Sequence, residues 1–164
     1  MPVDFRPSEG EIVSQAFDVA QSFKANELGT VAKFRDVGST DYGYAFFKYV
    51  KYEFGDVSTG LNGVDKYVTY YHKLNGYKTH IVSCDVSDSV FSAAIIIGAG
   101  VLHSAPTDGQ YVWIQQTGPA TPAVNLAGTP TDGVPLTGVG AADGGLDVVD
   151  TSTIALANVN VCAY

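Results

Sequence analysis

The side chains able to do chemistry are few and scattered. The histidines are His72, His80 and His103, and the cysteines are Cys84 and Cys162. His72 and His80 flank Asn75-Gly76, the strongest short signal for a two-residue hairpin turn. With that turn, Leu74 opposes Tyr77, His72 opposes Thr79 and Tyr71 opposes His80. The two imidazoles then point to opposite faces and do not share a metal. Asp143, Asp147 and Asp150 punctuate a glycine-rich string, GVGAADGGLDVVD. Carboxylate and carbonyl oxygens are what calcium takes. A Gly/Asp calcium repeat, however, works as a tandem array, and this string occurs once. Plain Asp-Gly turn chemistry is the simpler reading.

The strings G-x-S-x-G, G-x-x-x-x-G-K-[ST], H-E-x-x-H and C-x-x-C are all absent. The usual signatures of a serine hydrolase, a phosphate loop, a zinc hydrolase and a structural zinc site are therefore missing. His103 stands near Asp108, but a lone histidine beside a turn is expected at the surface. No catalytic residue, metal site or cofactor is assigned. The cysteines are expected to be two small buried hydrophobes rather than a disulfide.

The elements that would position any site are strands. Thr107–Gly118 holds the sole tryptophan, Trp113, in an aromatic and β-branched run. It is bounded by Asp108-Gly109 and by Thr117-Gly118-Pro119, which are turn signals. It reads as the central strand. Thr30–Arg35 alternates, and Tyr44–Phe54 carries aromatic residues on both faces. That suits a strand covered by its own core on one side and by a neighbour on the other. Val64–Leu74, Tyr77–Cys84, Val90–Leu102, Val134–Val139, Leu146–Val149 and a closing Thr153–Ala163 complete the strand set. Many short strands with Gly/Pro punctuation specify a mainly β fold, a single compact β-sandwich or β-barrel. Residues 28–164 form this β-rich domain. Residues 1–27 read as an N-terminal arm or a short helix. Ser8-x-x-Glu11 is a capping box, and Ile12, Ala16, Val19, Ala20 and Phe23 then fall on one helical face. An extended reading with Val13, Phe17 and Val19 on one side stays open.

At 164 residues the chain is long enough to bury roughly two thirds of its unfolded surface. Only 16 % of it is charged, against a typical ~25 %, so partners are expected to cover part of its surface. Residues 1–78 carry ten acidic and nine basic residues, a net of −1, whereas residues 79–164 carry seven aspartates and no Lys or Arg, a net of −7. A half without cations does not hold a phosphate backbone, so no nucleic-acid partner is expected. The longest apolar run, Ala93–Leu102, is too short to span a bilayer and is broken by Gly98 and Gly100. The N-terminus lacks a basic and apolar leader, which sets the expectation of synthesis in a host cytoplasm with no membrane partner. Eight of the ten tyrosines lie between Tyr42 and Tyr77. They form either a binding stripe or, more simply, a sheet face where tyrosine is favoured.

An ordered set of segments carries a resemblance. LGTVAKFRD (Leu28–Asp36) leads to AFFKYVKY (Ala45–Tyr52). AGVLHSAPTDGQYVWIQQTGPA (Ala99–Ala120), LAGTPTDGVPL (Leu126–Leu136) and DGGLDVV (Asp143–Val149) follow. Over about residues 28–150 the chain resembles the capsid decoration, or cement, proteins of tailed bacteriophages. The resemblance implies a non-enzymatic homotrimer on the outer surface of a virion, with the major capsid protein as partner. Residues Phe5, Phe17, Phe23, Phe47, Tyr49 and Trp113 are the expected interface residues. The N-terminal segment is expected to grip the shell or a neighbouring protomer. A tail or fibre protein, and a carbohydrate-binding β-sandwich using Trp113 and exposed tyrosines, are the alternatives.

Overall fold

The computed structural model describes residues 5–8, 13–36, 43–53, 63, 66–71, 80–85, 97–120, 122, 136–138 and 144–148. Nine strands and no helix occur among them: β1 (Phe5–Pro7), β2 (Val31–Asp36), β3 (Tyr44–Tyr52), β4 (Val68–Tyr71), β5 (Ile81–Ser83), β6 (Gly98–Leu102), β7 (Tyr111–Thr117), β8 (Leu136–Gly138) and β9 (Leu146–Val148). The sheet runs β1-β2-β3-β5-β4-β6-β7, and β7 pairs back onto β3. Strands β3, β5, β4, β6 and β7 thus close into a five-stranded barrel, with β3 and β5 parallel and the other pairings antiparallel. Closure removes the exposed sheet edges that an open sheet would leave.

β3 organises the molecule because it is long. One edge pairs with β7 from Phe46 to Lys51. The other edge pairs with β2 from Tyr44 to Lys48 and with β5 only at Lys51 and Tyr52. The second half of β3 is therefore barrel wall, while the first half, still bonded to β7 from Phe46, carries β2 and β1 on its other edge as an extension of the same sheet.

The two faces of β3 build two cores. Val50 and Tyr52 point into the barrel with Val82, Cys84, Leu102, Val112 and Ile114. Ala45, Phe47 and Tyr49 point outward and pack with Ala32, Phe34 and Trp113. Residues 13–28 cover that second core through Val13, Phe17 and Leu28. Burying each large apolar side chain contributes about 1.5–3 kcal/mol, so covering this cluster outweighs any intrinsic preference of the segment. A third cluster, Val68, Tyr70 and Leu146, lies where the β8–β9 hairpin covers the outside of β4 and β6.

Three expectations change. Residues 13–28 are an irregular segment tied down by a bridge between Gln21 and Tyr111, not a helix. On the expected apolar helix face, Ala16, Val19 and Phe23 are exposed, while the polar Gln15 is buried. The β4–β5 hairpin exists, but Tyr71 stands opposite Val82 rather than His80. The register is offset by two residues from the one an Asn75-Gly76 turn dictates, and an even offset leaves each side chain on its face. The turn itself lies outside the described residues, as do His72, Cys162, Asp143, Asp150 and the expected strand Thr153–Ala163. β1 was not legible as a strand.

Candidate functional site

Trp113, Phe47 and Tyr49 have no exposed surface, so they belong to the second core rather than to an interface. The Trp113 ring lies 5.1 Å from that of Tyr49 and 5.8 Å from that of Phe34, and its Nε1 donates to the Gln15 carbonyl at 3.0 Å. The Tyr49 hydroxyl donates to Gln15 Oε1 at 2.8 Å and accepts from the Ala25 amide at 3.1 Å. Burial pushes the Tyr49 phenol above its ordinary pKa, which keeps it a neutral donor. Gln15 Nε2 donates to the carbonyls of Tyr111, at 3.0 Å, and Val19. A single glutamine thus ties the covering segment to both central strands, with every polar atom of its amide used.

Phe17 packs against Phe34 and Phe47 at 6.0 and 5.5 Å, so it is half committed to the same core. Phe23 is 62 % exposed on the outside of the covering segment, with Val19 exposed nearby in sequence. Phe5 lies on the edge strand β1, opposite Asp36.

His103 is only partly exposed. It is wedged 5.5 Å from the Phe17 ring and 5.4 Å from the Phe47 ring, and its Nε2 lies 2.6 Å from Gln115 Oε1. Asp108 and Gly109 make the expected turn before β7, with Gly109 at positive φ. Asp147 sits on β9 opposite Thr137. The described residues contain no group of three metal-ligating side chains. Two hollows occur among them. One, of about 410 Å³, lies between Pro7, Phe34 and the covering segment. The other, of about 460 Å³, lies over β6 beside Gln116 and Leu136. Apart from Asp18 in the first, no titratable side chain lines either.

His80 immediately precedes β5, and its carbonyl accepts from the Lys51 amide at 2.8 Å. Its ring fills the space beside Gly29, where a Cβ would lie only 2.4 Å from Nε2, and Gly29 sits at φ +87°. Burial first, and the Lys48 charge second, hold His80 below its ordinary 6.5. The unfolded chain therefore takes up this proton before the folded one. The contribution is fully present above about pH 6.5 and is lost as pH falls toward the lower, folded-state value. Urea midpoints measured from about pH 7.5 to about pH 5 are expected to fall, and His80→Gln is expected to flatten that fall. An unchanged slope in the variant would remove His80 as its cause.

The feature most unlike an ordinary surface is the sheet that leaves the barrel. On its uncovered face, antiparallel register places Arg6 beside Arg35 and Tyr44, Lys33 beside Phe46, and Val31 beside Lys48. Val31, Tyr44 and Phe46 are 51, 49 and 43 % exposed. Lys33 Nζ lies 3.6 Å above the Tyr44 ring. Lys48 Nζ donates to the Tyr71 hydroxyl at 2.7 Å, at the barrel rim, where Gln116 also reaches that hydroxyl. The face is the barrel's inner wall continued past the rim. It is open because β2, not β5, is the neighbour of β3 there. Alternating apolar and basic residues on β2 signal a two-sided strand, but the sequence does not show which neighbour it takes.

The fold and this surface define a small closed β-barrel with an attached sheet that presents an aromatic and basic face. No protein-family model, no curated protein and no solved structure matches the chain.

Proposed function

We propose that this protein is a non-enzymatic virion structural protein that binds the outer surface of a phage capsid and stabilises it, as a homotrimer partnered with the major capsid protein. The observation that carries this reading is exposed apolar surface on a sparingly charged chain. Phe23 and Val19 project from one side, and Val31, Tyr44 and Phe46 from the other. Contiguous exposed apolar residues mark contact surfaces, and aromatic residues dominate the centres of protein interfaces. The resemblance over residues 28–150 supplies the kind of partner.

The N-terminal segment keeps a part in this reading, but a smaller one. Deleting residues 1–27 would strip Gln15 and Phe17 from the second core, so loss of binding would report unfolding. Phe23→Ser touches only the exposed ring. It is expected to weaken co-sedimentation with assembled shells at least about tenfold, the loss of a well-placed aromatic contact, with thermal stability unchanged. Undiminished co-sedimentation would remove Phe23 from the shell contact.

The carbohydrate-binding reading loses its main platform, because Trp113 is buried. A tail or fibre protein is the remaining alternative, and copy number separates it from a shell protein.

A further inference from the structure

We propose that His80 is an acid-released clasp on the segment that covers the second core: protonation drives its ring off Gly29 and opens that segment from its C-terminal end while the barrel stays closed. The covering segment ends in a tight turn, in which the Thr30 amide donates to the Glu27 carbonyl at 3.1 Å and Gly29 sits at φ +87°. Tyr49 of β3 holds this end twice. Its carbonyl accepts from the Gly29 amide at 2.8 Å, and its hydroxyl accepts from the Ala25 amide at 3.1 Å. Over the turn lies the His80 ring, so close that a Cβ on Gly29 would stand 2.4 Å from Nε2 and 2.5 Å from Cε1. His80 is itself fixed to β3 by its carbonyl, which accepts from the Lys51 amide. The ring thus presses the end of the covering segment against the barrel strands.

The clasp fits only an uncharged ring. His80 Nδ1 is buried and meets no hydrogen-bond partner among the described residues. An imidazolium donates from both nitrogens, and a buried charged donor with nothing to accept from it is strongly disfavoured. The surrounding charges do not help. Lys48 on β3 repels the added proton. Glu27, in the turn, is paired with Lys24 at 3.0 Å, and Glu53, just past β3, is paired with Lys51 at 2.6 Å. β5 itself, Ile81–Ser83, carries no charged residue. The charged ring gains hydration by swinging out, and the Gly29 turn then loses its cover. Opening of this kind breaks the contacts of one segment, whereas β3 and β7 keep the ladder between them. A histidine places the transition between about pH 7 and about pH 5. The device belongs to the fold and does not depend on the partner proposed above.

The test is hydrogen exchange of the full chain, followed by mass spectrometry between about pH 7.5 and about pH 5 and corrected for the intrinsic rate. The amides of Ala25, Gly29 and Thr30 are all bonded. Their protection is expected to fall several-fold at the lower pH, toward a ceiling of about thirtyfold for one site of ordinary pKa 6.5. The amides of β3 and β7 are expected to keep theirs. His80→Gln, which does not titrate, is expected to abolish the fall. Lys48→Met keeps the aliphatic stem and removes the repelling charge, so it is expected to move the transition to higher pH. A histidine with a merely structural role would show no such shift. His103 touches Phe17 of the same segment, and His103→Gln is expected to leave the fall in place. A fall that persists in His80→Gln or disappears in His103→Gln would overturn the proposal. So would an unmoved transition in Lys48→Met, or equal loss of protection in the covering segment and in β3 and β7.

Discussion

Trp113→Ala is expected to destabilise the protomer by about 3–5 kcal/mol, the range for emptying a buried aromatic site. Against a total of about 5–15 kcal/mol for a domain, that is enough to leave much of the protein unfolded. The size follows from position. Trp113 stands on β7 opposite Tyr49 of β3, in the layer between the barrel wall and the covering segment. Removing the ring opens a cavity bordered by Tyr49 and Phe34, and it also frees the Gln15 carbonyl. Trp113→Phe separates the two effects. It keeps most of the packing and leaves the carbonyl without its donor, at a cost of about 1–3 kcal/mol. Urea unfolding followed by circular dichroism measures both. Equal losses in the two variants would mean that the hydrogen bond, not the ring, holds this layer. A loss below about 1 kcal/mol in Trp113→Ala would place the ring outside a well-packed core.

Gly100→Ala is expected to cost about 3 kcal/mol, the upper part of the range for forcing atoms into a filled site. A Cβ at Gly100 would lie 2.5 Å from the backbone carbonyl oxygen of Gln115. A backbone atom in the barrel wall cannot swing aside as a side chain can, so β6 and β7 must separate where they close the barrel. Across the other edge of β6 the register already shifts, with Thr69 opposite Gly100 and Tyr70 opposite Gly98. Thr69 Oγ1 also donates to the Gly100 carbonyl at 2.9 Å. Gly98 is the internal control, because no atom lies within 4 Å of its Cβ position. Gly98→Ala is expected to change stability by no more than about 0.5 kcal/mol. The two unfolding midpoints, measured together, decide the point. If they match, close approach at Gly100 does not limit the barrel.

These two positions also show what the sequence makes legible. Gly98 and Gly100 read only as breaks in an apolar run. Which of them is crowded depends on a strand fifteen residues further along, and no local pattern carries that. The aromatic residues on both faces of β3 do announce a strand, but only its second half is covered on both faces, since Tyr44 and Phe46 stay exposed, and β7 lies within the stretch that its flanking turns mark. Trp113, Phe47 and Tyr49 were harder to place, since a large aromatic residue needs an apolar cover whether a partner or the same chain supplies it. Here the chain supplies it. The capping box at Ser8 and the apolar spacing from Ile12 favoured a helix, but Gln15 has more to bond as an irregular segment against β3 and β7 than on a solvated helix. β1 carries no strand signal of its own because it is three residues long and ends in Pro7, which only an edge strand tolerates. The basic face was hidden for a topological reason. Lys33, Arg35 and Lys48 look like ordinary solvated positions until pairing sets them side by side with Arg6.

The copy number of this protein in purified particles, relative to the most abundant shell subunit, tests the proposed function most directly. Quantitative mass spectrometry supplies it. A ratio of about one to one is the predicted result, since a bracing protein repeats with the lattice of subunits whose symmetry it follows. A ratio far below that would assign the protein to a tail or a unique vertex, and its absence from particles would contradict the virion reading outright.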